Sequence, residues 1–187
     1  MPIIQLHPAG AGFGFTERAT RRATVTAEEL QQRLVALQAL AVLDTPPEEG
    51  LDALTRLAAN VFDMPIALVS LIDGERLWFK AAYGLEATAA DSSHSFCCEN
   101  ANAKTVLEVG SARLDTRFAK NDMVTGPLAI QYYAGAPIFY RGVAIGTVCV
   151  LDYVPRKASR HALYALEEMA TIASVLLRAP CRRIYAP

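Results

Sequence analysis

The cysteines are the side chains of this sequence best suited to covalent or metal chemistry. Four occur in 187 residues, and Cys97 and Cys98 are adjacent. A thiolate is both a nucleophile and a soft metal ligand, but adjacent side chains diverge, and only His94 of the three histidines is close in sequence. No CxxC pair is present. The pattern disfavours a metal site, a zinc ribbon and a disulfide scaffold, and Cys149, within an apolar run, is predicted to be a small buried side chain.

A group of aromatic residues indicates a different chemistry, the binding of a small molecule. Small-ligand pockets are usually lined by aromatic rings with a few polar groups among them. For each ring taken singly, the alternative interpretation is that it packs in the core. The segment 84–131 breaks into short pieces, and irregular segments of that length are often functional. We therefore predict a ligand site, with ligand and cofactor unidentified, formed by Phe79, Phe96, Cys97, Phe118, Asn121, Tyr133 and Cys149.

The charged residues give weaker signals. Four aspartates end or interrupt apolar runs, where carboxylates usually accept hydrogen bonds from backbone amides; they are Asp73, Asp115, Asp122 and Asp152. The two ends of the chain are basic and the middle is mildly acidic, with a formal net charge of −1. We expect the basic ends to be solvated and the acidic middle not to bind nucleic acid.

Composition predicts one packed domain, because 52% of the residues are hydrophobic and 20% charged. Residues 1–24 lack the apolar run of a secretory signal, and the longest uncharged stretch, 123–140, contains Gly and Pro and is unlike a membrane span. The expectation is a cytoplasmic protein without membrane contact. Its predicted organisation is a flexible arm over 1–24, a domain over 25–178 and a tail over 179–187.

Hydrophobic spacing predicts the elements of that domain. A capping box at Thr26 and Glu29 begins a first helix, whose predicted buried stripe is Leu30, Leu34, Leu37 and Ala41. Thr45 is predicted to cap a second helix that ends near Phe62. Further along, the sequence predicts a hairpin at 66–83 whose first strand is covered on both faces, a helix at 96–103, a strand at 105–109, a turn at 114–120 and a hairpin at 132–151. A final helix is predicted at 159–177, with an apolar stripe formed by Leu163, Leu166, Ala170, Ala173 and Leu177. This order favours an α+β fold with an antiparallel sheet.

A series of motifs in this order resembles the GAF domain, in particular the bacterial subgroup found in front of sensor histidine kinases and cyclic-dinucleotide enzymes. The resemblance covers about residues 28–178. The motifs are Leu43-Asp-Thr-Pro-Pro-Glu-Glu49, Pro65-Ile-Ala-Leu-Val-Ser-Leu-Ile-Asp73, Trp78-Phe-Lys80, Ser95-Phe-Cys97, Arg117-Phe-Ala-Lys-Asn121, Val124-Thr-Gly-Pro127, Tyr132-Tyr-Ala-Gly-Ala-Pro137 and Gly146-Thr-Val-Cys-Val-Leu-Asp152.

The resemblance implies a central antiparallel sheet with helices packed on one face and a ligand pocket on the other. It implies a sensory or regulatory role in signal transduction, and pairing of two copies through the first and last helices. Because the sequence ends shortly after the last helix, we expect no attached effector domain and an output through a separate partner chain.

Two alternative functions remain open from the sequence. Related enzymes that reduce free methionine sulfoxide use a cysteine on the strand that is 132–139 here, and that stretch has none, which leaves Cys97 as the candidate centre. A ligand-free interaction module, filled by its own aromatic rings, is the second alternative. Bilin attachment is disfavoured because Glu99, and not histidine, follows Cys98.

Overall fold

The computed structural model describes residues 25–74, 76–92 and 95–178, so the predicted arm and tail lie outside the described residues. Within these ranges the chain forms five helices and six strands. In chain order they are α1 (Ala27–Leu40), α2 (Glu49–Phe62), β1 (Ile66–Asp73), β2 (Arg76–Tyr83), β3 (Ala89–Asp91), α3 (Phe96–Ala103), β4 (Leu107–Val109), α4 (Asp122–Thr125), β5 (Tyr132–Tyr140), β6 (Val143–Asp152) and α5 (Arg160–Leu176).

The strands form one antiparallel sheet in the order β3-β2-β1-β6-β5-β4. Both predicted hairpins are confirmed. The β5–β6 turn consists of two residues in the left-handed region, Arg141 with φ 49° and Gly142 with φ 80°, which suits the right-handed twist of the strands. The predicted α+β class is therefore correct, and β1 and β6 form the centre of the sheet.

Each face of the sheet has its own core. Helices α1, α2 and α5 cover one face, and α3 with the segment that follows it covers the other. Because successive side chains of a strand point to opposite faces, Val69 and Leu71 of β1 pack toward the first face while Leu68 and Ile72 pack toward the second. We call the second layer the α3-side core. Strand β1 is thus buried on both faces, as predicted.

The stripe predicted for α5 is confirmed, since its five apolar residues are all buried. The stripe predicted for α1 is only partly correct: Leu37 is buried, but Leu30 is 37% exposed and Arg33 is buried instead. The Arg33 guanidinium can be buried because Nε donates to the Ala144 carbonyl at 2.8 Å and Nη2 donates to Asn102 Oδ1 at 2.9 Å. Arg33 therefore ties α1 to both β6 and α3.

The predicted capping box of α1 is present, with reciprocal hydrogen bonds between Thr26 and Glu29. The predicted Thr45 cap of α2 is wrong, because α2 begins at Glu49 without a side-chain cap. The Thr45 hydroxyl instead donates to the Val42 carbonyl at 2.7 Å and accepts a hydrogen bond from Lys80. A buried tertiary partner therefore replaces the local cap that sequence spacing suggested.

Lys80 anchors the segment that leads into α2. Its side chain is fully buried, and Nζ donates to Thr45 Oγ1 at 2.6 Å and to the Pro46 carbonyl at 2.8 Å, and lies 2.7 Å from Glu48 Oε1. A β-bulge in β2, where the register with β1 shifts between Val69 and Ser70, places Lys80 beside this segment. The Lys80 ammonium group therefore connects the motif at 78–80 to the motif at 43–49.

Strand β3 and helix α4 are absent from the sequence prediction because three or four residues carry no measurable periodicity. The predicted strand at 105–109 is shorter, at Leu107–Val109. None of the helices in the described part of the chain is both long and apolar enough to cross a membrane.

Replacing Lys80 with methionine should lower the free energy of unfolding by about 1–3 kcal/mol, because the Pro46 carbonyl and the Glu48 carboxylate lose their donor. Urea unfolding monitored by circular dichroism measures the change. Lys104→Met is the matched control, since Lys104 forms an exposed ion pair with Glu29 and exposed pairs contribute little. Equal destabilisation by the two variants would contradict the anchoring role.

Candidate functional site

Six of the seven predicted site residues lie together in the α3-side core. We call them the aromatic–thiol cluster; they are Phe79, Phe96, Cys97, Phe118, Tyr133 and Cys149. Each is buried, with an exposed fraction of 7% or less. Residues that are far apart in the sequence therefore form one contiguous group.

Neighbouring strands and one helix end position the cluster. Tyr133 of β5 and Cys149 of β6 lie on adjacent strands, and Cys149 is paired with Leu68 of β1. Phe96 and Cys97 begin α3, whose start is fixed because the Ser95 hydroxyl accepts a hydrogen bond from the Cys98 amide at 3.1 Å. The first turn of α3 therefore faces the centre of the sheet.

The aromatic rings of the cluster pack closely against one another. The Phe96 and Phe118 ring centroids are 4.3 Å apart with an interplanar angle of 31°, and the Phe96 and Tyr133 centroids are 5.1 Å apart at 12°. Aromatic pairs in such geometries contribute about 0.5–1.5 kcal/mol beyond area burial. In the described state these rings fill much of the space between α3 and the sheet.

Polar side chains that the sequence prediction missed lie beside the rings. Ser70 Oγ and Thr147 Oγ1 are 2.9 Å apart on adjacent strands. The Tyr133 hydroxyl donates to Asn100 Oδ1 at 3.1 Å, and Asn100 Nδ2 donates to the Thr105 carbonyl at 2.6 Å. The signal available in the sequence was a lone hydroxyl residue within each of two otherwise apolar strands.

Cys97 and Cys149 are in contact, with 3.7 Å between their Sγ atoms. Hydrogen bonding by the Cys149 thiol, with smaller contributions from the Ser70 and Thr147 hydroxyls, lowers the pKa of Cys97 against the opposing effect of burial, and the Cys97 thiolate in turn raises the pKa of Cys149. Burial raises the pKa of Cys98 to about 11. The pKa of Cys97 is therefore lowered, while that of the adjacent Cys98 is raised.

Asn121, the seventh predicted residue, lies at the edge of the cluster: it is half-buried, and its backbone amide donates to the Phe118 carbonyl at 2.8 Å. It is the N-cap of α4, and its Oδ1 accepts a hydrogen bond from the Met123 amide at 2.7 Å. Asp115 and Asp152 likewise accept backbone amides, as predicted, and each also pairs with a nearby arginine. No group of His, Cys, Asp and Glu in the ranges described is arranged to hold a metal ion.

A cleft of about 780 Å³ lies at the other side of the molecule, where the sequence prediction placed no site. It is bordered by the end of α1, the segment before α2, the β5–β6 turn and the end of α5. Two cations flank it, since the guanidinium groups of Arg141 and Arg178 lie 5.2 Å and 5.6 Å from the Tyr140 ring centroid. The cleft is therefore a second concave position at which a ligand can be tested.

Gly135→Ala should destabilise the protein by about 1–3 kcal/mol, the usual cost of overpacking a core. A Cβ at Gly135 would overlap the Tyr133 hydroxyl and Asn100 Oδ1. Chemical unfolding measures the effect, and Gly50→Ala is the control, because its Cβ meets only the flexible Leu176 side chain and replaces a helical glycine. A Gly135→Ala protein as stable as the wild type would refute this packing constraint.

Comparison with known proteins identifies relatives of the chain. A cyclic di-GMP phosphodiesterase of Pseudomonas aeruginosa is 36% identical over 130 residues, which are 69% of this chain and 22% of that protein. The match therefore spans about a fifth of the length of this relative.

Solved structures share the fold at low sequence identity. The GAF domain of an Acinetobacter phosphoenolpyruvate-protein phosphotransferase has a TM-score of 0.59 at 17% identity, over 82% of this chain and 94% of that one. The free methionine-R-sulfoxide reductase of Neisseria meningitidis with its substrate has a TM-score of 0.58 at 16% identity, over 82% and 92%. The blue-light absorbing form of the PixJ GAF domain of Thermosynechococcus elongatus has a TM-score of 0.55 at 12% identity, over 83% and 90%.

The model of the GAF domain family matches residues 46–177, which span β1 to β6 and include the whole aromatic–thiol cluster. With this match and the antiparallel sheet that the sequence motifs implied, the chain belongs to the GAF domain family.

Proposed function

We propose that this chain is a sensory module of signal transduction that binds a small molecule between α3 and the sheet. The observation that carries the proposal is the convergence of the aromatic–thiol cluster with the hydroxyl and amide groups of Ser70, Thr147 and Asn100. Apolar walls with a few oriented polar groups are the usual form of a small-ligand site. Family membership supports the proposal, and one structural neighbour is a light-absorbing domain.

Binding requires the α3-side core to open, because its rings fill the site in the described state. The elements that cover the site are short: α3 has eight residues, β4 three and α4 four. Elements of low local stability are those that move in switching proteins. A ligand that binds the open arrangement more tightly would shift the population toward it.

Arg33 offers a physical route from the site to the first helix. Its guanidinium on α1 donates to Asn102 on α3 and to the Ala144 carbonyl at the start of β6. A displacement of α3 would therefore break or move a buried contact of α1. We propose that this contact couples the ligand to a helical interface, and that the output passes to a separate partner in the cytoplasm.

A thiol-dependent enzyme is the second candidate function. The Cys97–Cys149 contact and the structural likeness to a free methionine-R-sulfoxide reductase favour it. Strand β5, where those enzymes are expected to carry a cysteine, has none in Tyr132–Tyr140. We therefore propose binding and not catalysis, and assays with free methionine-R-sulfoxide on wild type and Cys97→Ser separate the two functions.

Freshly purified protein should carry a small molecule that native mass spectrometry detects as a mass adduct. Phe118→Leu should reduce the bound fraction by ~10-fold or more, because the ligand would lose the aromatic surface of one wall of the proposed site. Arg141→Ala is the control, since it alters the cleft on the other side and leaves the cluster intact.

Loss of the adduct in Arg141→Ala with retention in Phe118→Leu would place the ligand in the cleft and contradict the proposed site. No adduct in any variant, together with no thermal shift of the wild type in a broad metabolite screen, would favour a ligand-free interaction module.

The proposed homodimer would use the exposed apolar residues of the terminal helices. Val35 of α1 is 52% exposed and Val175 of α5 is 60% exposed. Either Val→Glu substitution should raise the dimer dissociation constant by ~10-fold or more, because a carboxylate would be buried without a partner. Light scattering after size-exclusion chromatography measures the change.

Leu57→Glu is the matched control, since Leu57 is exposed to a similar extent but lies on α2. A wild-type protein that stays monomeric at high micromolar concentration, or dimers that survive both valine substitutions, would rule out this interface.

A further inference from the structure

We propose that Cys97 and Cys149 form a reversible intramolecular disulfide when the protein meets hydrogen peroxide, which makes the α3-side core a site of thiol oxidation. This inference is independent of whether the site binds a ligand. It rests on the position of two thiols from different elements, one on α3 and one on β6.

The geometry places the two thiols in direct contact. Their Sγ atoms are 3.7 Å apart, although the residues are 52 positions apart in the sequence. A disulfide has an S–S length of about 2.0 Å, so closure requires the sulfur atoms to approach by about 1.7 Å. Cys97 lies in the first turn of an eight-residue helix, an element short enough to make this adjustment.

The surroundings of Cys97 favour its role as the attacking group. The Cys149 sulfur is in contact with the Cys97 sulfur, and hydrogen bonding by the Cys149 thiol, with smaller contributions from the Ser70 and Thr147 hydroxyls, lowers the pKa of Cys97. A thiolate is the form that reacts with peroxide. Cys98 is the neighbour in sequence, but burial raises its pKa and it is not in contact with Cys149.

The reaction balances in two steps. The Cys97 thiolate attacks one peroxide oxygen, the O–O bond breaks, and Cys97 becomes a sulfenic acid; the other oxygen leaves as hydroxide and takes up the proton that the Cys97 thiol released on ionising, which gives water. The Cys149 thiol then attacks the sulfenic sulfur, the S–O bond breaks, the S–S bond forms, and a second water leaves. Peroxide is close to water in size and reaches the buried pair during local opening of the α3-side elements.

The disulfide would join α3 covalently to the central strand β6. Such a cross-link restricts the unfolded chain over the whole segment between the two cysteines. Oxidation should therefore raise the melting temperature, by ~5 °C or more, and dithiothreitol should reverse the shift. It would also hold the short elements over the site in their closed arrangement.

The test uses the full chain carrying Cys98→Ser and Cys181→Ser, so that only Cys97 and Cys149 remain of the four cysteines. The reduced protein is treated with hydrogen peroxide, denatured, alkylated and weighed by mass spectrometry. The expected result is loss of both alkylatable thiols and of the mass of two hydrogen atoms, with a monomeric band on a non-reducing gel.

Adding Cys149→Ser to this protein is the matched control, because the serine hydroxyl keeps a hydrogen-bond donor beside the Cys97 sulfur but cannot form a disulfide. It should keep Cys97 from forming an intramolecular disulfide and leave a sulfenic acid that dimedone traps. Peptide mapping of peroxide-treated wild type gives the same test without any substitution. Two thiols that remain alkylatable in the folded protein, a disulfide between two chains, or a wild-type link that joins Cys98 to Cys149 would each overturn the proposal.

Discussion

The burial of β1 and β6 on both faces is the constraint on which the rest of this structure depends. These two strands pair with each other at the centre of the sheet, and their side chains alternate between two separate cores. A sheet with two apolar faces is stable only when both are covered. The long helices α1, α2 and α5 cover one face, so the opposite face depends on the short elements between β2 and β5. The short elements that cover this second face of the sheet therefore also enclose the candidate site.

Buried cations connect these layers. Lys80 fixes the segment before α2 to strand β2, and Arg33 links α1 to α3 and β6. Removing a charge from water is costly unless its donors are satisfied, and in both cases carbonyl, hydroxyl, amide or carboxylate oxygens satisfy them. The hydrogen bonds of Arg33 and Lys80 are directional, and they therefore fix the positions of α1 and of the segment before α2 more closely than apolar packing does. A displacement of α3 would therefore change the hydrogen bonds of Arg33 on α1.

The aromatic–thiol cluster combines two properties that a sensory site needs. Its packed rings stabilise the described arrangement, and its thiols, with the hydroxyls of Ser70 and Thr147 beside it, are the groups with which a ligand or an oxidant would interact. Because the covering elements are short, we expect local opening of the α3-side core to cost less free energy than unfolding of the sheet. Both proposals made for this chain depend on that difference.

The sequence by itself determined the order of the longer elements, both hairpins and the α5 stripe, because periodicity, turn residues and family motifs are local signals. It also predicted seven site residues, of which six lie together in the α3-side core. It placed Asn121 with those six, although the structure uses it as a helix cap. Only the tertiary structure decided that the Thr45 hydroxyl accepts a hydrogen bond from Lys80, that Arg33 is buried, and that Cys97 is in contact with Cys149. These are contacts between residues distant in sequence, and their energies depend on a neighbour that no local pattern specifies.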